Sequence, residues 1–191
     1  MKGLMRLLPV VLALLLVACA KPPTAEMNAA EAAVARAMRS PDVVAYAPED
    51  LQRAKRALDQ MKTEATARHY DQAKSFAGEA TTAANSAIAS AQTNKERAKA
   101  RAEELIAAVK TALPQTVKIL ANAAKVSKAK FDRAAAKASI DGARTALAEA
   151  EAALGQGDFL KAVDRVASAQ KALADTQSAI GAAVQGATRK K

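Results

Sequence analysis

The sequence predicts an all-α protein: elongated, alanine-rich helical hairpins packed as an antiparallel, coiled-coil-like bundle. Three observations carry this expectation. Hydrophobic residues make up 51% of the 191-residue chain, yet most are alanine, with no Trp, three Phe and two Tyr. Apolar positions recur at alternating spacings of three and four, the stripe that packs helix on helix. Ser40-Pro41, Pro48, Leu113-Pro114 and Gly155-Gln156-Gly157-Asp158 punctuate those stripes. Alanine has the best helix propensity and loses no side-chain entropy, but it buries little area. Such a chain forms helices easily and packs them closely around a thin core.

The N-terminus is set apart. Met1-Lys2-Gly3-Leu4-Met5-Arg6 is a short basic region, and Leu7 to Ala18 is almost wholly apolar. This order is that of an export signal. The apolar run is about a dozen residues, short of the roughly 20 that span a bilayer as a helix. Leu16-Val17-Ala18-Cys19 resembles the bacterial lipobox, which implies diacylglyceryl transfer to the Cys19 thiol and cleavage between Ala18 and Cys19. Ala18-Cys19-Ala20 also fits the A-x-A pattern of ordinary secretion, and that alternative would destroy the lipid site. Cys19 is the only cysteine, so no disulfide forms within the chain and the fold holds by packing alone. The residue after Cys19 is Ala20 rather than the aspartate that resemblance associates with inner-membrane retention. The expected location is therefore the cell envelope, lipid-anchored at the outer membrane and facing the periplasm.

The remaining elements follow in order. Residues 1–18 read as the signal peptide and 19–24 as a lipidated tether, extended by Pro22-Pro23. A first helical unit is expected over 25–112 and a second over 113–187, with 188–191 a loose basic tail. In the first unit a helix runs from about 25 to 39, with Met27, Ala30, Val34 and Ala37 on one face, and Ser40-Pro41 ends it. Pro48 opens the next helix at a position where its missing N–H costs nothing. Glu49 and Asp50 there complement the helix dipole. Leu51, Ala54, Leu58, Met61 and Ala65 form its seam. Tyr70, Ala73, Ala77, Ala80, Ala84, Ala87 and Ala91 begin a long helix to about 112, roughly 65 Å at 1.5 Å per residue. Leu113-Pro114 predicts a break or kink. Beyond it the spacing predicts a stripe through Leu113, Val117, Leu120, Ala124, Phe131 and Ala138. A kinked but continuous helix over 114–154 is expected, its apolar face shifting to Ile140, Ala143, Leu147, Ala150 and Leu154. Gly155-Gln156-Gly157-Asp158 is a turn. Phe159, Ala162, Val166, Ala169, Leu173, Thr176 and Ile180 form the last stripe.

The two hairpins align without gaps at a shift of 89 positions: Leu51 on Ile140, Ala54 on Ala143, Leu58 on Leu147, Tyr70 on Phe159, Ala73 on Ala162, Ala80 on Ala169. The Arg68-His69 corner falls on Gly157-Asp158. Units of this kind hide their apolar faces only by pairing. Gly157-Asp158-Phe159 also resembles the turn inside a tetratricopeptide-type repeat, but the full signature of about 34 residues is missing, and a helical hairpin is the reading that remains.

Ala45-Tyr46-Ala47-Pro48-Glu49-Asp50-Leu51, preceded by an alanine-rich helix and followed by Ala54 and Leu58, resembles a bacterial lipoprotein family known as domain of unknown function 4398. The resemblance covers about residues 19–105. Some relatives continue into a peptidoglycan-binding domain like that of outer membrane protein A. This chain continues into a second helical unit instead, so wall binding does not transfer. The family lends no activity.

The residues carry little chemistry. His69 is the only histidine, which leaves no multi-histidine metal site, and its position at a helix corner suits a solvated or capping role. Glu103-Glu104 fits a solvated helix face better than an acid/base pair. There is no Gly-rich phosphate loop and no G-x-S-x-G elbow. The expectation is a protein that is not an enzyme, with no metal and no cofactor beyond the covalent lipid on Cys19. What remains is charge. The formal net charge is +10, or +8 without residues 1–18 and their Lys2 and Arg6. Lys118, Lys125, Lys128, Lys130, Arg133 and Lys137 are opposed only by Asp132. That run reads either as a solvated face that keeps an alanine-rich protein soluble or as a contact for anionic lipid, lipopolysaccharide or another polyanion. Nucleic acid is excluded for an exported chain. The leading expectation is thus an envelope scaffold or spacer whose partners are the membrane, through its anchor, and envelope proteins. The alternative is a module that binds polyanions or lipid head groups.

Overall fold

The computed structural model describes residues 21–126 and 129–189, and among them the secondary structure is entirely helical. In chain order the helices are α1 (Thr24–Arg39), α2 (Pro41–Tyr46), α3 (Pro48–Thr66), α4 (Tyr70–Ala123), α5 (Arg133–Gly155) and α6 (Phe159–Thr188). Two compact units result, one up to Asn94 and one from Lys95, and α4 contributes residues to both. The all-α expectation holds.

In the first unit, α1 and α3 pack with the start of α4. Ala30, Val34 and Ala37 of α1, Leu51, Ala54 and Met61 of α3, and Ala77, Ala80, Ala84, Ala87 and Ala91 of α4 form one core. The small α4 seam lets the facing helices come close, and the larger Met61, Val34 and Leu51 fill what alanine cannot. Met61 and Val34 are wholly buried. Polar groups tie the same helices at the surface: Glu26 pairs with Lys74 at 2.9 Å, and the Arg36 guanidinium donates to Asn85 Oδ1 at 2.8 Å.

The Tyr46-Ala47-Pro48 element is an elbow. Ser40 caps α2, its Oγ accepting from the Val43 N–H at 3.4 Å, and Pro41 stands at the first turn. This short helix is absent from the sequence expectation, which treats Ser40-Pro41 only as a stop. Ala47 leaves helical geometry (φ −138°, ψ 46°) while its own carbonyl begins α3 by accepting from Leu51 N–H. Pro48 follows without an N–H. The Asn94 side chain of α4 donates to the Tyr46 carbonyl at 2.8 Å, satisfying an acceptor at the break between the two helices.

The hairpin repeat is visible bond for bond. At the first corner the His69 N–H reaches the Glu64 carbonyl (2.9 Å) and the Arg68 N–H the Ala65 carbonyl (3.1 Å). At the second, Asp158 N–H reaches Ala153 (2.9 Å) and Gly157 N–H reaches Leu154 (3.1 Å). Each bond maps onto the other at the same 89-residue shift. Both corners are Schellman motifs, with the 6→1 and 5→2 bonds that close a helix C-terminus. The left-handed residue is Gly157 (φ 80°) in one and Arg68 (φ 64°) in the other. Burial repeats too: Leu51 and Ile140, Ala54 and Ala143, Met61 and Ala150, Ala73 and Ala162, Ala84 and Leu173 are buried pairs at that shift. Leu58 and Leu147 are equivalent, and both are half-buried at the edge of their cores rather than fully enclosed.

The second unit departs from expectation in three places. First, α4 runs through Pro114 instead of breaking there. Pro114 and Lys110, whose carbonyl loses its interior partner, are both exposed, so water can replace the missing bond. On the other face, Val109, Leu113 and Thr116 are buried and hold the helix on course. Second, 114–154 is not one continuous helix. It ends at Ala123 and resumes at Arg133, and residues 139–142, where the apolar face shifts, are helical. The reversal is what brings Leu105, Ile106, Val109 and Leu113 of α4 against Ile140, Ala143 and Ala150 of α5. Asp132 restarts the chain by capping the Ala135 N–H at 2.9 Å. Third, the stripe through Val117, Ala124 and Ala138 is exposed. The buried face of α4 instead passes through Ala102, Leu105, Val109, Leu113, Thr116 and Ala123. The boundary between the two compact units falls inside α4, between Asn94 and Lys95.

Candidate functional site

Division of the chain separates its charge. Residues 21–94 hold nine basic and nine acidic side chains, whereas residues 95–191 hold eighteen and ten. The whole surplus beyond residue 20 therefore belongs to the second unit. Within it, surface pairs such as Lys110 with Glu151 (2.6 Å) and Arg165 with Glu149 (3.3 Å) neutralise much of the hairpin. Of the surplus of eight, five fall between residues 118 and 137, where α4 ends and α5 begins, and three are Arg189, Lys190 and Lys191.

The end of α4 closes with Lys125 N–H on the Asn122 carbonyl and Val126 N–H on Ala123, both 3.1 Å. Arg133, first residue of α5, donates to the Ala124 carbonyl at 3.1 Å and places its guanidinium 5.8 Å from the Phe131 ring centre. That contact is within reach of a cation–π attraction. Arg133 is thus a brace across the reversal. Lys118, Lys125, Lys130 and Lys137 are exposed and make no ion pair among the described residues. Asp132, the one acid in this run, is engaged as the cap of α5. The expected common face does not exist: Lys118 is on α4, Lys125 and Lys130 on the connection, and Arg133 and Lys137 on α5. They gather instead around one end of the unit. Lys125 sits just past the α4 C-terminus, where the dipole favours a cation. Lys128, Ala18 and Cys19 lie outside the described residues.

Beneath these cations the core is small: Ala123, Ala136 and Ile180, with Leu120, Phe131 and Val184 against them. Two grooves flank Ile180. One, of about 400 Å³, is lined by Phe131, Ala136, Ser139, Thr176 and their neighbours and includes Asp132 and Asp175. Both carboxylates are occupied, Asp132 by the Ala135 N–H and Asp175 by Lys171. The other, of about 370 Å³, lies between α4 and α6 and is lined by Ile119, Asn122, Ala123, Val126, Ile180, Gly181, Val184 and Gln185, none of them charged. Sequence reasoning missed both grooves, because it took Ala124 and Phe131 as one unbroken helical stripe. A polar layer closes the unit just inside them. Thr116, fully buried, accepts from Gln177 Nε2 at 2.7 Å and donates to the Ala112 carbonyl, while the Ser139 and Thr176 hydroxyls lie 2.8 Å apart.

The other polar residues considered from sequence have structural partners. His69 Nδ1 lies 2.7 Å from Glu64 Oε2 at the exposed first corner. Glu104 pairs with Arg101 and Glu103 with Lys99 on the α4 surface. Among the described residues no cluster of His, Cys, Asp or Glu fits a metal, and no helix is long and apolar enough to cross a membrane.

Residues 25–112 match the family described as "Domain of unknown function (DUF4398)". This segment of the chain belongs to that family. The DUF4398 match takes in α1, the Tyr46-Ala47-Pro48 elbow, α3 and most of α4, and stops just before Leu113. The elbow that carries the resemblance is therefore a structural joint of the DUF4398 segment, held by Asn94 from the same segment. Comparison with curated proteins and with solved structures gave no match.

Proposed function

We propose that this protein is a non-enzymatic lipoprotein of the cell envelope, anchored through Cys19 and acting as a helical spacer or protein-interaction scaffold on the periplasmic side of the outer membrane. The Leu16-Val17-Ala18-Cys19 sequence carries the anchoring part. Several acyl chains on one cysteine hold a membrane far better than a single chain, and Pro22-Pro23 then spaces the anchor from α1. The scaffold part is supported by how the polar side chains are used: Glu26 with Lys74, Arg36 with Asn85, Asn94 with Tyr46 and Gln177 with Thr116 each join one helix to another. The test of anchoring is metabolic labelling with a fatty-acid analogue. Wild-type protein takes up label and Cys19→Ser does not, remaining as precursor or as a soluble form; an unlabelled wild type refutes the anchor. Crosslinking in intact cells, followed by identification of the captured protein, tests the scaffold.

The segregation of charge favours a second reading, in which the second unit binds polyanions or lipid head groups through Lys118, Lys125, Lys128, Lys130, Arg133 and Lys137. Such binding weakens steeply as salt rises, because exposed charges are screened within about 10 Å at 0.1 M salt. Recognition of a partner helix by an apolar groove does not.

A further inference from the structure

We infer that the uncharged groove between α4 and α6 takes the apolar chain of an anionic amphiphile, with the acidic head group held by the cations at its border. This rests on the second of the two readings above and is independent of the anchor. The groove's apolar lining comes from Ile119, Ala123, Val126, Ile180 and Val184. Its volume of about 370 Å³ falls within the range of roughly 300–1,000 Å³ typical of ligand pockets. Ile119 is 37% exposed, so apolar surface at the rim still faces water.

Charge complementarity selects the occupant. Lys118 stands one turn before groove-lining Asn122 on α4, and Lys125, just past the helix end, bonds its N–H to the Asn122 carbonyl at 3.1 Å. On the opposite wall Gln185 also lines the groove, and Arg189 stands four residues on, its N–H bonded to the Gln185 carbonyl. None of these three cations has a carboxylate partner among the described residues, and no acid lines this groove. An apolar slot bordered by free cations matches a molecule with an alkyl tail and a negative head. A neutral lipid leaves the cations unused, and a chainless polyanion leaves the slot unused.

The groove owes its space partly to Gly181. Gly181 lines the groove and a Cβ built there meets no atom within 4 Å, so a larger side chain at this helical position starts in open space beside the slot. Gly181→Leu thus fills the site while improving helix propensity. The loss of binding in this variant is separable from loss of fold.

The test uses the chain from Ala20 onward, which contains every helix described here, with side-chain methyl resonances followed during titration. The probes, below their micelle concentrations, are lysophosphatidylglycerol, lysophosphatidylcholine and glycerol phosphate. Lysophosphatidylglycerol is expected to shift Ile119, Val126, Ile180 and Val184 saturably. The choline lipid binds more weakly, and glycerol phosphate leaves these methyls unmoved. Lys118→Glu with Lys125→Glu weakens binding by about tenfold or more, since each basic residue near an anionic lipid surface contributes about a factor of five. Gly181→Leu abolishes the shifts with an unchanged or higher melting temperature. Equal affinity for the two lysolipids, shifts confined to other methyls, or undiminished binding by Gly181→Leu overturns the assignment. Binding of a chainless polyanion such as heparin with no lysolipid response also overturns it, while leaving the second reading of the basic end intact.

Discussion

Exchanging the left-handed residues of the two hairpin corners tests the repeat at its most exposed point. Arg68 and Gly157 occupy the same place in two Schellman motifs with the same hydrogen bonds, at φ 64° and 80°. Holding a residue with a Cβ in left-handed geometry costs roughly 1–2 kcal/mol. Glycine escapes that cost but loses about 0.5–1 kcal/mol more backbone entropy on folding. The difference leaves Arg68→Gly stabilising by about 0.5–1 kcal/mol. Gly157→Ala loses a similar amount. No atom lies within 4 Å of the added Cβ, so no steric clash adds to the backbone term. The two units have separate cores. If each melts as a domain of 60–100 residues, 1 kcal/mol corresponds to about 4–8 °C. Arg68→Gly should therefore raise the melting temperature of the first unit by several degrees, and Gly157→Ala should lower that of the second by a comparable amount. Calorimetry of the soluble chain resolves both. A melting temperature lowered by Arg68→Gly, or unmoved by Gly157→Ala, would show that the corners are not left-handed caps, and the bond-for-bond repeat would fail with them.

Four further outcomes are expected. Leu58→Asp and Leu147→Asp should each destabilise by several kcal/mol, somewhat less than full burial would give because both side chains are half-exposed. Lys62→Ala, which loses only an exposed 3.4 Å pair with Glu31, should change the melting temperature little, and equal effects of Lys62→Ala and Leu147→Asp refute the seam. Pro114→Ala should restore an interior helix bond and stabilise the second unit by up to about 3 kcal/mol; denaturant unfolding that shows a loss contradicts an α4 that runs through Pro114. For Glu26, the hydrogen bond from Lys74 holds the carboxyl below its usual range, and the same bond raises Lys74. The Glu26 contribution is present above the ordinary carboxylate pKa and lost as pH falls through the lowered value. The Lys74 contribution is present below the ordinary lysine pKa and lost as pH rises through the raised one. The stability difference between wild type and Glu26→Gln should therefore be small, flat around neutrality and gone in acid; a difference that grows in acid refutes the pairing. Gln177→Ala should cost about 0.5–1.5 kcal/mol and no more, because the buried Thr116 hydroxyl keeps the Ala112 carbonyl. A larger loss on thermal melting would mean that Gln177 alone satisfies Thr116.

Local signals in the sequence determined much of this protein: its helical class, the two hairpins and their 89-residue repeat, the Gly157 turn, and the alanine seams of α3, α4 and α6. Propensity, period and turn chemistry act over a few residues and can be read along the chain. Tertiary structure decided where local signals conflicted with packing. Pro114 reads as a stop, yet burial of Leu113 and Thr116 carries α4 past it. The stretch beyond Leu113 reads as one helix to Leu154, yet α4 ends at Ala123 and α5 begins at Arg133, and Ile140 and Ala143 pack against Leu105 and Val109. The basic residues were visible as a run, and their gathering around a groove beside Ile180 was not. That groove joins residues about sixty positions apart, Ile119 and Val126 with Ile180 and Val184, and no period within one segment records a space formed between two.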